Sequence, residues 1–85
     1  MKPPESKINS YGYKLLFIDV DKALEFFKKN VENYPQSSNV YDSYAEALLK
    51  KGDKKNAMLN YEKAFQLDPA NTAARDMMNK LKSEQ

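Results

Sequence analysis

The apolar positions of this 85-residue chain recur with two periods. The short one is helical. Ala23, Phe26, Phe27 and Val31 fall on one side of a helix, and so do Ala57, Met58, Tyr61 and Phe65. The long period is 34 residues, and it separates Ala23 from Ala57, Phe27 from Tyr61, Val31 from Phe65 and Pro35 from Pro69. A fixed period of that size marks stacked helical units. Within a unit, the alanine lets a second helix approach closely, and the aromatic four residues on fills the wider gap beside it. Proline has no backbone donor and restricts the residue before it. Helices therefore stop at Tyr34-Pro35 and Asp68-Pro69. Ser37-Ser38 and Asn71-Thr72 come just after these stops and offer N-cap chemistry for the next helix.

Upstream of the second proline unit, "NVYDSYAEALLKKGDKK" predicts a helix from about Asn39 to Lys51, with Tyr41, Tyr44, Ala45, Leu48 and Leu49 on its apolar side. Gly52 is placed to end that helix in a left-handed conformation, and Asp53 to cap the following one. The matching segment of the first unit is "KINSYGYKLLF", where Ile8, Tyr11, Gly12, Leu15 and Leu16 correspond at an offset of 33. One residue is missing between Leu16 and Ala23. The turn "FIDVD" is accordingly tighter and lacks glycine, and Asp19 or Asp21 must cap the second helix.

Residues 38–71 resemble a tetratricopeptide repeat, a 34-residue helix–turn–helix, through Tyr41, Tyr44, Ala45, Leu48, Gly52, Asp53, Ala57, Tyr61, Ala64, Leu67, Asp68 and Pro69. Tyr41 stands where the family favours Trp, and Ala45 where it favours Gly. Residues 5–37 resemble a degenerate first repeat, with Asn30 at the position of a small residue. Residues 72–83 resemble the helix that closes such an array, with Ala74, Met77, Met78 and Leu81 inward and one of the two methionines partly exposed. The fold expected is all-α: five helices, made of two hairpins and a capping helix, after a tail at residues 1–4.

Composition narrows the chemistry. The chain has no histidine and no cysteine, which removes imidazole acid–base catalysis, thiolate chemistry and the usual zinc ligands. Two glycines cannot build a phosphate-cradling loop. The net charge of +2 gives no basis for nucleic-acid binding. Lys50, Lys51, Lys54 and Lys55 surround one turn and read as a solvated helix end. There is no membrane-spanning apolar run and no signal-peptide core in "MKPPESK". If the chain is native as it stands, the expected location is the cytoplasm. The carboxylate pairs Asp19/Asp21 and Asp42/Glu46 read as a capping pair and a solvent-facing pair. No enzyme activity and no cofactor are expected.

The resemblance implies where a partner would bind. In this family the inner face comes mainly from the first helix of each repeat. The equivalent positions are Asn9, Tyr13 and Leu16, then Asn39, Asp42, Glu46 and Leu49, then Asp76 and Lys80 on the closing helix. Such a face holds an extended peptide or a helix. Asp42 and Glu46 would favour a basic or amine-bearing segment. Tyr13, Ser43 and Met77 stand near the positions where some members clamp a C-terminal carboxylate with Lys, Asn and Arg, so no such clamp is expected.

A second resemblance is to the C-terminal tetratricopeptide extensions of bacterial serine hydrolases of the esterase and β-lactamase type, through "INSYGYKLL" and "YPQSSNVYDSYAEA". It implies an accessory domain packed on a catalytic one. An array of two units also leaves apolar residues near the first helix, Tyr11, Leu15, Phe17 and Ile18, that cannot all face one neighbour. A partner, a missing domain or a second copy in a weak homodimer would cover them.

Overall fold

The computed structural model describes residues 13–16 and 18–84. Asn9, Tyr11, Gly12 and Phe17 lie outside them, as do the tail and the start of the first unit. A helical segment, α1 (residues 13–16), is followed by α2 (Val20–Asn33), α3 (Ser38–Lys51), α4 (Lys54–Leu67) and α5 (Thr72–Ser83). No strand occurs among the described residues. The fold is all-α, a small α-solenoid.

The helix ends are set by local chemistry. α2 stops at Asn33, two residues before Pro35, and α4 stops at Leu67, two before Pro69. Asp19, not Asp21, caps α2: its carboxylate accepts from the backbone N–H groups of Asp21 and Lys22. Asp21 instead pairs with Lys51 at 2.7 Å. Gly52 closes α3 with φ of +93°, and its N–H and that of Asp53 bond back to Leu49 and Leu48. Asp53 caps α4 through the N–H of Asn56, and Asn71 caps α5 through that of Ala74.

Ser37 departs from the expectation, since it sits at the N-cap of α3 but its side chain makes no capping bond. Its neighbour acts instead, across the hairpin. The Ser38 hydroxyl donates to the Ala64 carbonyl of α4 at 2.7 Å.

Each helix packs on its sequence neighbours, α2 on α3, α3 on α4 and α4 on α5. Connections of two to four residues make successive helices antiparallel. Ala23, Ala45, Ala57, Ala64 and Ala74 have no exposed surface. A larger side chain at any of them would force the helix axes apart. Two clusters result. Ala45, Leu48, Ala57, Tyr61, Ala64, Ala74, Met78 and Leu81 join α3, α4 and α5, with Met77 partly buried at the edge. Leu15, Leu16, Ala23, Phe27 and Ala47 join α1, α2 and α3.

α3 is thus apolar on two sides, and α5 on one. Val40 and Ala47 are buried on α3, and residues 34 positions on, Ala74 and Leu81, are buried on α5. Tyr41, Ala45 and Leu48 form the other apolar side of α3. Their equivalents on α5 are Arg75, Asn79 and Lys82, all exposed. That side of α5 is polar, where the matching side of α3 is apolar and packed. At the opposite end Ile18 is 81% exposed, while Leu15 is buried.

Candidate functional site

Three elements bring polar groups to one face: α1, α3 and the N-terminus of α5. Tyr13 belongs to α1. Its ring packs edge-on against Phe27 of α2, with centroids 5.2 Å apart. Phe27 is fully buried, so the tyrosine ring is fixed from below and its hydroxyl is carried over α3. There it donates to Glu46 Oε2 at 2.8 Å. The Ser43 hydroxyl lies 3.1 Å from the same phenol oxygen. With the tyrosine proton committed to the carboxylate, Ser43 is the donor of that contact. The chain of bonds runs Ser43 to Tyr13 to Glu46.

Asp42 stands one helical turn before Glu46. It is half-buried, not solvent-facing as its sequence context implies, because the cap of α5 lies over it. The Asn71 side-chain amide donates to Asp42 Oδ2 at 3.5 Å and to Ser38 Oγ at 3.1 Å. Asn71 therefore caps α5 with its oxygen and ties α5 to α3 with its nitrogen.

The electrostatics reflect this arrangement. Burial raises the Asp42 carboxyl above its usual range; the Asn71 bond opposes the shift and the Glu46 charge adds to it. Burial also pushes the Tyr13 phenol up to about 12, and the bond to Glu46 and the two carboxylate charges add to that, against the Ser43 bond. Tyr61, from α4, is raised as well, first by burial and then by the charges of Asp42, Glu46 and Tyr13. All four groups share one field. Among the described residues neither Asp42 nor Glu46 forms an ion pair.

The other expected face residues are placed less centrally. Leu16 is 7% exposed and belongs to the core with Leu15 and Phe27, so it supports the face and offers little surface of its own. Leu49 is partly buried against the α3–α4–α5 cluster. Asn39, Asp76 and Lys80 are exposed. Asp76 is engaged by its neighbour Arg75 at 3.1 Å. Asn9 lies outside the described residues.

Sequence reads Tyr61 as a core aromatic, as it is, and Asn71 as a helix cap, which in addition ties α5 to α3. The equivalent of Tyr61 34 residues earlier is Phe27, which fills the same kind of position without a hydroxyl. Packing does not require the phenol oxygen.

Among the described residues no group of three or more His, Cys, Asp or Glu side chains could hold a metal ion. No described helix is long and apolar enough to cross a membrane. A comparison with curated proteins returns no match. A comparison with protein families finds one repeat: residues 38–71, which are α3, α4 and the turns that bound them, match the tetratricopeptide repeat.

Proposed function

We propose that the chain is a protein-interaction module that binds a segment of a partner polypeptide along the α1–α3–α5 face. Repeats of this kind mediate protein–protein interaction, and most serve without catalysis. The observation that carries the finer reading is the bonding of Tyr13 to Ser43 and Glu46. It unites side chains from equivalent positions of successive first helices on one face, where Glu46 and Asn39 remain exposed and Asp42 and Leu49 half-exposed. Aromatic, aliphatic and carboxylate groups together can anchor and orient an extended segment.

The test uses the full chain. Binders are selected from a displayed library of random peptides about twelve residues long, enough to run the length of such a groove in extended form. Their site is mapped by amide chemical shifts. Perturbation of Asn39, Asp42, Glu46 and Leu49 is expected. Perturbation confined to the outer surfaces of α2 and α4, or no binder at all, would overturn the reading.

A second reading rests on the exposed Ile18 and on Phe26, which is 37% exposed. In it the module is an accessory unit whose α1–α2 end packs on a larger protein, such as the catalytic domain of a bacterial serine hydrolase, or on a second copy of itself. Light scattering over a concentration series, with Ile18→Ser beside the parent chain, separates the last case. Self-association that Ile18→Ser abolishes supports it, and a monomer at all concentrations removes it.

A further inference from the structure

We infer that two ion pairs of opposite polarity select which helices of the stack dock on one another. Asp21 of α2 pairs with Lys51 of α3 at 2.7 Å, and Lys54 of α4 pairs with Glu84, the C-cap of α5, at 3.4 Å. Both pairs span the same place in the stack. Each joins the first turn of a unit's second helix to the end of the first helix that follows it. The acid lies on the second helix in one pair and on the first helix in the other.

Apolar packing repeats at these two places. Ala47 of α3 is buried with Ala23 and Phe27 of α2, and Leu81 of α5, 34 positions after Ala47, is buried with Ala57 and Tyr61 of α4. Ala57 and Tyr61 are themselves the equivalents of Ala23 and Phe27. A second copy of the chain, met while the fold assembles, therefore offers α5 as a rival for α2 and α3 as a rival for α4. Charge tells them apart. α5 on α2 would set Glu84 against Asp21, and α3 on α4 would set Lys51 against Lys54. Both exchanged dockings oppose like charges, and both native ones join unlike charges. Two pairs of the same polarity would join the exchanged helices as well as the native ones.

The placing of the second pair supports this. Asp21 near the start of α2 and Lys51 at the end of α3 complement their own helix dipoles. Lys54 at the start of α4 and Glu84 at the end of α5 oppose theirs, and the first turn of α4 holds no acidic residue. Local helix preference thus gives no reason for the inversion, and pairing between units does. All four side chains are exposed, so each pair adds little to stability alone. Discrimination draws on the difference between attraction in one docking and repulsion in the other.

The experiment compares four forms of the full chain. They are the parent, Lys54→Glu with Glu84→Lys, Asp21→Lys with Lys51→Asp, and all four changes together. The two double variants give both pairs one polarity, in opposite senses, and the fourfold variant restores opposite polarity. Each is refolded from urea at low salt over a series of protein concentrations, and the fraction larger than a monomer is measured by light scattering. Both double variants should assemble about threefold more than the parent, the scale of exchanging like for unlike charge at exposed sites. The fourfold variant should return to the parent's level. At about 1 M salt the four should converge, because exposed charges are then screened. Lys54→Glu with Glu84→Lys should also melt no lower than the parent, since it suits the helix dipoles, so that its added assembly does not come from a weaker fold. Equal assembly of all four forms would overturn the inference. So would a fourfold variant that assembles as much as the double ones, which would trace the effect to the altered helix ends.

Discussion

The hydroxyl of Tyr13 and the carboxylate of Glu46 are bonded at 2.8 Å although 33 residues separate them. They meet because Tyr13 of α1 rests its ring on Phe27 of α2, which carries its hydroxyl over α3. Tyr13→Phe keeps the ring on Phe27 and deletes the bond to Glu46 together with the Ser43 contact, so the share of the Glu46 bond is the coupling between the Tyr13 and Glu46 changes. The expected loss is about 1 kcal/mol, reduced from the usual value for a bond to a charged group because Glu46 is exposed. Urea denaturation of Tyr13→Phe, Glu46→Gln and the double variant measures it. Additive effects of the two single changes would mean that the contact contributes nothing in solution.

The same cluster makes the fold sensitive to alkali. The phenol of Tyr13 has its pKa pushed up from 10.0 to about 12, and that of Tyr61 moves in the same direction. Between those values the unfolded chain releases protons that the folded chain retains. Stability is therefore at its full value below about pH 10 and declines as the pH rises toward about 12. The urea midpoint should fall across that interval, and less steeply for Tyr13→Phe. A midpoint that stays level to about pH 12 would show that the phenols are not held in a buried, negatively charged cluster.

Gly52 offers a test of backbone alone. Its φ of +93° is left-handed, and a Cβ added there would meet nothing within 4 Å. Gly52→Ala should therefore cost about 1 kcal/mol through conformation and nothing through packing. Asn tolerates this region better than Ala, so Gly52→Asn should cost less. Thermal melts of the two variants give the order. Equal losses would mean that the turn shifts to accommodate them.

Much of the fold is legible in the sequence because its signals are local. The two prolines, Gly52, Asp53 and Asn71 mark helix ends by backbone chemistry that needs no tertiary context, and the observed ends fall beside them. The buried alanines are legible from the 34-residue period, which reports stacking directly. Asn30 shows where such reading stops. It is fully buried at the position equivalent to Ala64, and nothing in its type announces that. The site is harder to read for a similar reason. Asp42 looks solvent-facing on its own helix, and it is half-buried only because the N-cap of α5 closes over it. Tyr61 looks like packing because its ring is packing.

Asp42 itself gives the clearest separation of stability from function. Burial raises its carboxyl, with the charge of Glu46 adding to the effect. Ionising it is thus harder in the folded chain than in the unfolded one. A carboxyl raised in this way adds to stability while protonated in the folded state, and that contribution is lost as the pH climbs through its folded value. Near neutrality the charge is a net cost. Asp42→Asn retains an oxygen to accept from Asn71 and removes the charge, so it should raise the melting temperature at neutral pH. At a pH low enough to protonate the carboxyl, the difference from the parent should shrink. Thermal melts by circular dichroism at the two pH values measure this directly. A variant less stable than the parent at neutral pH would mean that the Asn71 bond to the charged oxygen outweighs the burial, and Asp42 would then be a structural residue. A stabilised variant would mean that the charge is retained against the interest of the fold.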